Sequence, residues 1–279
     1  MLPTTIILRA LKGDPALIQA KLRVLLAEAN TPSRVIIDAE SPPLQRFYLF
    51  EDDALSAAAK AYRIDVEMWA ETLFAPLNAK GERFSLEYIW NKSSLVERLA
   101  QAPAAGQLIL FCLEASLPSR YRRVIEQSQS PVLVLGENRW HHPPNLVVGI
   151  DPFHKSDRPA DIDAKVVRTA MTLSKRLKGQ LTLVHSCYTP SFMIKYRAMI
   201  QSTHQRVIQD FVAKHHLQRL NWHLLLGEPA DALSDYCRTH QSDLLVMGLV
   251  ARGLIKKRIT GSTTDQLMSE RACDLYLIP

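Results

Sequence analysis

A strand–helix alternation occurs twice in this sequence, and that repeat constrains the fold more than any other feature. In residues 145–279 the strand-like segments are NLVVGID (145–151), QLTLVHS (180–186), NWHLLLG (221–227), DLLVMG (243–248) and DLYLIP (274–279). Segments with apolar residues at helical spacing lie between them. The same order recurs in residues 5–136, from TIILRAL (5–11) to SPVLVLG (130–136). Strands alternating with helices predict βαβ units, and therefore an α/β fold with two tandem, doubly wound, mostly parallel five-stranded sheets.

The repeat divides the chain into two predicted domains, residues 1–140 and 141–279. Between them, ENRWHHPPN (137–145) interrupts both periodicities with paired histidines and prolines. The surface chemistry of the two halves differs. Residues 1–140 carry 16 Lys and Arg against 16 Asp and Glu, whereas residues 141–279 carry 18 against 12 and contain all nine histidines. An anionic partner is therefore expected to meet the second half.

Composition excludes several function classes. A net charge of +6 is too small to indicate a nucleic-acid-binding protein, and KKR (256–258) is interpreted as a solvated face. No apolar run approaches the ~20 residues that a membrane-spanning helix needs, so no membrane span is expected. The N-terminus lacks the features of a secretory signal. Four scattered cysteines, with no Cys-x-x-Cys pair, indicate reduced, mostly buried thiols and a cytoplasmic location.

A loop shaped for an anion follows the strand DLLVMG. Residues 248–263 read GLVARGLIKKRITGST, with a glycine at each end of a basic stretch and hydroxyl residues after it. Backbone amides near glycines and at a helix N-terminus favour anions. Gly261 permits close approach of the backbone to a ligand. Ser262 or Thr263 can donate a hydroxyl and cap the next helix, and Thr263 with Gln266 has capping-box spacing.

Several of these motifs together resemble the universal stress protein family. They are GID at the end of the first strand of residues 145–279, LLLGEPADAL, which resembles the family's fourth strand and the turn behind it, and VMG, GST and CDLYLIP in the last part. The family signature is Gly-x2-Gly-x9-Gly followed by Ser or Thr. The resemblance covers residues 145–279 well, but it covers residues 1–140 only through the order of elements and the ending SQSPVLVLG. It implies a tandem member whose domains have the adenine-nucleotide α-hydrolase-like fold.

The resemblance also implies roles for individual residues and for the two halves. Asp151 would contact the adenine or ribose region, Leu226 and Gly227 would frame the base and sugar, and the loop from Gly248 to Ser262 would wrap the phosphates of ATP or a related nucleotide. The last strand of a family domain commonly pairs across a dimer interface. We therefore expect the halves to be related by a pseudo-twofold and to form an intramolecular pseudo-dimer, which leaves the chain a monomer.

The sequence departs from the family pattern in both halves. Ala251 stands where the signature requires glycine, which costs roughly 1 kcal/mol if the backbone there needs a positive φ. If the glycine instead makes room for the ligand, the methyl group intrudes, so we predict a weakened site in the second half. In the first half Leu11 replaces the aspartate. Residues 115–129 form a shorter connection than residues 251–271 and contain no glycine, so no nucleotide is expected there.

These observations predict a non-catalytic stress-response protein with one weakened adenine-nucleotide site. No catalytic motif and no metal-ligand spacing occurs in the sequence, so the chain is expected to have no catalytic and no metal-binding residues. One alternative is a fully degenerate tandem that acts as an interaction scaffold or binds another, apolar ligand. A second is a slow nucleotide hydrolase, for which no base is identified. Asp151 could also simply turn the chain, and the sequence names no protein partner and no stress signal.

Overall fold

A computed structural model describes residues 4–27, 31–40, 52–78, 83–90, 106–114, 117–153, 161–249 and 262–279. The chain divides into two compact units, Met1–Glu137 and Asn138–Pro279. Each unit contains a parallel, five-stranded α/β sheet, so the fold class predicted from the alternation is confirmed. The pseudo-twofold between the halves stays a prediction.

The first unit orders its strands β3-β2-β1-β4-β5, all parallel. Its elements, in chain order, are β1 (Thr4–Arg9), α1 (Pro15–Leu25), β2 (Ser33–Asp38), α2 (Asp52–Asn78), β3 (Phe84–Ile89), β4 (Gln107–Phe111), α3 (Ser119–Gln127) and β5 (Val132–Leu135). Helix α1 begins where the sequence indicates, because the Asp14 side chain accepts a hydrogen bond from the amide of Ala16, and Pro15 tolerates the first helical position. The segment SLVERLAQ (94–101), which the sequence predicts to lie between β3 and β4, is outside the described residues.

The second unit orders its strands β8-β7-β6-β9-β10 and is likewise parallel throughout. Its elements are β6 (Asn145–Gly149), α4 (Ile162–Leu177), β7 (Gln180–Cys187), α5 (Arg197–Lys214), β8 (Asn221–Leu226), α6 (Pro229–Thr239), β9 (Leu244–Gly248), α7 (Ser262–Glu270) and β10 (Asp274–Ile278). The order of strands matches that of the first unit, so the carboxyl ends of all five strands again meet at one edge. Ligands of open α/β sheets bind at this edge.

The sequence SFMIKYRAMIQSTHQRVIQDFVAKHH (191–216) predicts one helix, and the structure differs from this in the first six residues. Ser191–Tyr196 forms a 3₁₀-helix in which no residue is buried, and α5 follows it directly. The buried residues of α5 are Ile208 and Val212, both in its second half. Helical spacing of apolar residues in 191–200 therefore does not report a core-facing stripe, and these side chains are available for another role.

Gly179 follows the helical pattern of residues 164–178, and glycine is common just after the end of a helix. Helix α4 nevertheless ends at Leu177, with Lys178 as its C-cap residue. Lys178 adopts the left-handed conformation, with φ of 52°. Gly179 is needed for a different reason, because a Cβ at that position would lie 2.6 Å from the backbone oxygen of Pro144. The amide of Gly179 donates to the oxygen of Ser174, which closes the end of the helix. Close approach to the connecting segment, rather than a positive φ, requires this glycine.

The connecting segment at the start of the second unit is tied to buried carboxylates. The indole Nε1 of Trp140 donates to Asp274 Oδ2 at 2.6 Å. Asp243 accepts from the amide of His141 at 3.0 Å and from the amide of Asn145 at 2.6 Å. Both aspartates lie at the amino ends of their strands and are buried. The stretch that interrupts the sequence periodicity is therefore an integral part of the second unit.

Two further sequence expectations concern composition. All four cysteines are buried free thiols, as expected. Within the described ranges, no helix combines the length and apolar character needed to cross a membrane.

Tyr276 provides a test of how tightly β10 is packed. Burial raises its pKa to about 12, against a small opposing effect of Arg176. The folded state therefore holds the Tyr276 hydroxyl proton more tightly than the unfolded state does. The contribution of this proton to the free energy of unfolding is fully present below pH 10 and is lost as the pH rises through 12. We expect the free energy of unfolding to fall by about 2–3 kcal/mol more in the parent than in Tyr276→Phe between those values. Urea titrations at each pH measure this, with Tyr196→Phe as an exposed control; parallel curves would contradict it.

Candidate functional site

The predicted site residues that the structure describes lie at the carboxyl edge of the second sheet. Asp151 follows the end of β6, and Gly248 ends the adjacent strand β9. Leu226 ends β8, which is separated from β6 by β7. Parallel pairing thus brings Asp151 and Gly248 to neighbouring strand ends and leaves Leu226 two strands away. Ala251 and Gly261 lie outside the described residues.

Asp151 organises the start of the loop that follows β6. It is half-buried, its amide donates to Asp163 Oδ1 at 3.1 Å, and its own Oδ1 accepts from the amide of Phe153 at 3.4 Å. Asp163 lies in the first turn of α4, so the loop and the helix are joined through these two aspartates. The turn-forming alternative for Asp151 is therefore part of the structure. One oxygen of the carboxylate has this local role.

The two glycines at the edge differ in what they require. Gly227 has φ of +131° and donates its amide to the oxygen of Cys187 at 3.2 Å. A Cβ there would meet only Ala232 at 3.9 Å, so conformation rather than space selects glycine. At Gly248 a Cβ would lie 3.1 Å from Ile162. That glycine lets the end of β9 pack closely on the start of α4.

The hydroxyl pair after the loop begins α7. The helix starts at Ser262, so Thr263 is its second residue and is half-buried. Because α7 already begins at Ser262, Thr263 does not stand at the N-cap position that the predicted capping box with Gln266 requires. The side-chain amide of Gln266 donates to Asp231 of α6 at 2.5 Å and to Glu270 of its own helix at 2.7 Å. Thr263 remains at the amino end of α7, where the helix dipole favours an anion.

A cluster of three rings, which the sequence analysis did not predict, lies beside Asp151 over the ends of β6 and β7. Phe153 stacks on His204 with ring centroids 4.0 Å apart, and His204 stacks on His185 at 5.0 Å. Both ring nitrogens of His185 are engaged, Nδ1 with the oxygen of Ile150 at 2.9 Å and Nε2 with Nδ1 of His204 at 2.7 Å. Since a carbonyl only accepts, Nδ1 of His185 carries the proton there, and Nε2 of the neutral ring accepts from His204.

The three residues of the ring cluster could not be connected from the sequence. His185 is buried and hydrogen-bonded, as expected for a packed histidine. Its partners come from a loop and from α5, and no motif spacing links the three positions. The signal that could have found them is weak: each lies at or just after a strand end, or on the next helix. Phe153 and His204 are half-buried, so part of their ring surface faces the edge.

The same edge of the first unit has a different chemistry. Arg9, at the end of β1, is paired with Glu114. Arg120 of α3 donates to Asp38 at 2.9 Å and to Glu40 at 2.5 Å, and the Tyr121 hydroxyl donates to Asp38 at 2.8 Å. Burial and the nearby Asp38 carboxylate raise the pKa of Tyr121 well above its usual value, so that donor keeps its proton. The first unit fills its edge with its own charges.

Two features at that edge correspond to positions of the second unit. Leu11, two residues beyond β1, is exposed with φ of 56°, where the second unit has Asp151 two residues beyond β6. Residues 112–118 separate β4 from α3, whereas residues 249–261 separate β9 from α7. In the first unit, Glu114 in this shorter connection and Arg120 at the start of α3 lie at the edge.

Comparison with known proteins supports the likeness of the second unit. The universal stress protein family model matches residues 145–279. A relative, the universal stress protein E homolog of Haemophilus influenzae, is 20% identical over 164 residues, which are 55% of this chain and 53% of that protein. The match therefore spans about half the length of that relative.

Solved structures resemble the chain over nearly its whole length. A protein provisionally described as a universal stress protein, from Pseudomonas aeruginosa UCBPP-PA14, has a TM-score of 0.70 at 13% identity and covers 99% of this chain and 93% of its own. A universal stress protein from Archaeoglobus fulgidus DSM 4304 has a TM-score of 0.61 at 13% identity, with 98% and 95% covered. The cytoplasmic domain of a prokaryotic cation chloride cotransporter scores 0.51 at 13% identity, with 99% and 94% covered. These similarities show the fold.

Proposed function

We propose that this chain, whose residues 145–279 match the universal stress protein family model, is a non-catalytic stress-response protein with one adenine-nucleotide site. The site is the carboxyl edge of the second sheet, and its ligand is ATP or a related nucleotide. Asp151 would bind the adenine or ribose region, with Leu226 and Gly227 beside the base and sugar. The phosphates would lie against Gly248, Ala251, Gly261, Ser262 and Thr263.

The contrast between the two sheet edges carries this proposal. In the first unit, Arg120, Asp38 and Glu40 neutralise one another at the edge, so a ligand would have to break buried ion pairs. In the second unit the edge has a half-buried carboxylate at Asp151, a half-exposed Leu226 and a close-packed glycine at Gly248. The charged groups at the edge of the first unit thus pair with one another, whereas the edge of the second unit has groups that a ligand can contact.

The ring cluster supports a planar ligand at this edge. The rings of Phe153 and His204 are nearly parallel, with an interplanar angle of 24°. Aromatic rings of this kind stack on heterocycles, and they do so beside a carboxylate that can accept a hydrogen bond from an amino group. Adenine presents both features.

The same cluster supports binding rather than catalysis. His185 is buried, and its two ring nitrogens bond to Ile150 and His204, so it is not placed to accept a proton from water. We also infer a cytoplasmic location, which the buried free thiols support. A monomer with an intramolecular pseudo-dimer stays a prediction, which light scattering would test.

A calorimetric titration with ATP tests the site. We expect one molecule per chain, a loss of about 1–3 kcal/mol in binding free energy for Asp151→Ala, and a gain of roughly 1 kcal/mol for Ala251→Gly. The glycine variant relieves the position at which this sequence departs from the family signature. Since Asp151 also holds the amide of Phe153, the stability of each variant must be measured in parallel. Two equivalent sites per chain would contradict the proposal.

One observation favours a second candidate function, a degenerate tandem that acts as a scaffold or binds a different, apolar ligand. Asp151 already has a structural role in the turn, which explains its presence without any nucleotide. The likeness to a cytoplasmic domain of a cotransporter also shows that this fold occurs outside the stress proteins. If the parent binds no ATP and Ala251→Gly gains none, this second function is supported instead.

A further inference from the structure

The second unit exposes a group of large apolar side chains on one surface. Phe192 is 81% exposed, Met199 61% and Ile194 59%. We call this surface the apolar ridge; its members are Tyr188, Phe192, Ile194, Tyr196, Met199 and Leu226. Contiguous apolar surface of this kind is uncommon on a monomer, and it marks a site of interaction with a protein, a ligand or a membrane.

The apolar ridge is continuous in the fold. Leu226 pairs in register with Cys187, the residue before Tyr188, so Leu226 and Tyr188 lie at the neighbouring carboxyl ends of β8 and β7. The chain then enters the 3₁₀-helix Ser191–Tyr196, which buries none of its residues. Met199 follows in the first turn of α5, well before the buried half of that helix. The ridge therefore stands out from the sheet edge and is not the outer side of the core.

The segment that carries most of the apolar ridge has charges of one sign. Residues 164–209 contain eight Lys and Arg and no Asp or Glu. Lys195 and Arg197 are exposed within the ridge, and the Lys195 ammonium lies 5.3 Å from the centroid of the Tyr196 ring. At the base of the ridge, Glu228 accepts a hydrogen bond from Tyr188, which raises the pKa of that tyrosine. Residues 192–199 of the ridge are thus apolar and basic, and the carboxylate of Glu228 lies beside Tyr188.

The topology extends this basic character over one face of the second sheet. The strands β6, β7 and β8 follow one another in the same direction across the sheet. Right-handed crossovers therefore put α4 and α5 on the same face. Lys165, Arg168 and Lys175 of α4 are exposed there, and so is Arg206 of α5. This face of the second unit is therefore basic as well.

From this combination we propose that the apolar ridge binds peripherally to an anionic membrane surface. Phe192, Ile194 and Met199 enter the acyl boundary, and the two tyrosines lie at the headgroup level, where amphipathic rings are favoured. Lys195 and Arg197 meet lipid phosphates. A nucleic acid would use the rings but gain little from Ile194, Met199 and Leu226. A second copy of the chain would bring two basic faces together.

Sedimentation with lipid vesicles tests the proposal on the full chain. We expect binding to phosphatidylcholine vesicles that contain phosphatidylglycerol, little binding to phosphatidylcholine alone, and release by salt. Phe192→Ser should weaken binding at least tenfold, and each of Lys195→Gln and Arg197→Gln about fivefold. The matched control is Met68→Ser, since Met68 is 56% exposed on α2 of the first unit. Circular dichroism establishes that each variant is folded.

Several results would overturn the proposal. These are absence of binding to the anionic vesicles, or equal binding by the parent and Phe192→Ser. An equal loss in Met68→Ser would also count against it, because the effect would then not belong to the ridge. Binding of single-stranded RNA, but not of vesicles, that Phe192→Ser removes would assign the ridge to nucleic acid. A concentration-dependent dimer that Phe192→Ser dissociates would assign it to a second copy.

Discussion

Asp243→Ala is expected to lower the free energy of unfolding of the second unit by about 3–5 kcal/mol. The carboxylate is buried and accepts from the amides of His141 and Asn145 and from Nδ1 of His141. Its removal leaves backbone donors without acceptors, and each such loss costs about 1–3 kcal/mol. Urea unfolding followed by circular dichroism measures the change.

Two variants distinguish this effect from a general loss of negative charge. Asp235→Ala removes an exposed carboxylate of the same unit, whose pairing with Arg238 is at the surface, and is expected to cost under about 1 kcal/mol. Asp243→Asn keeps one acceptor oxygen and should fall between the alanine variant and the parent. If Asp243→Ala and Asp235→Ala cost the same, the connecting segment contributes nothing through Asp243.

Arg120→Ala is expected to destabilise the first unit by a similar amount, about 3–5 kcal/mol. Arg120 is the cation between buried Asp38 and half-buried Glu40, so its loss removes the ion pair that each of these two carboxylates makes with it. The Tyr121 hydroxyl still donates to Asp38 but carries no charge to balance it. Urea unfolding measures this change as well.

The control for Arg120 is in the same helix. Arg123 is exposed on α3, so Arg123→Ala removes the same side chain without touching the cluster and should stay within about 0.5 kcal/mol of the parent. Arg120→Lys keeps the charge but loses the planar, two-pronged geometry, and an intermediate cost is expected. A small effect of Arg120→Ala would mean that the charge cluster is a weak constraint on the edge of the first sheet.

Much of the fold could be predicted from the sequence because short apolar strands and amphipathic helices leave local signals. The strand-like run DLYLIP gives β10 (Asp274–Ile278), and the helical spacing from Val166 to Leu177 gives α4. The helix within 191–216 could be predicted, but the exposure of its first part could not, because apolar residues at helical spacing look the same whether a core covers them or solvent does. Only the tertiary structure shows that Phe192 is exposed.

The candidate site also contains residues whose positions could be predicted from the sequence and residues whose positions could not. Asp151 and Gly248 follow strands, so the rule that parallel strand ends share an edge places them together without any knowledge of contacts. Arg120 and Asp38 could not be paired in advance, since they are 82 residues apart and neither belongs to a motif. The Phe153–His204 stack is similar: its geometry depends on where α5 crosses the edge, and no local pattern records that.

The hydrogen bonds of the connecting segment have a consequence for the order of folding during synthesis. The strands of the first unit, β1 to β5, are all made before Trp140, so that unit can complete its sheet early. Trp140 and His141 come next, but their acceptors Asp274 and Asp243 are 134 and 102 residues further along. While the ribosome makes the second unit, the segment that follows the finished sheet remains without its partners. The hydrogen bond from Trp140 to Asp274 can form only after β10 has been made. A slow or stalled ribosome would therefore prolong the period in which the connecting segment is accessible to proteases.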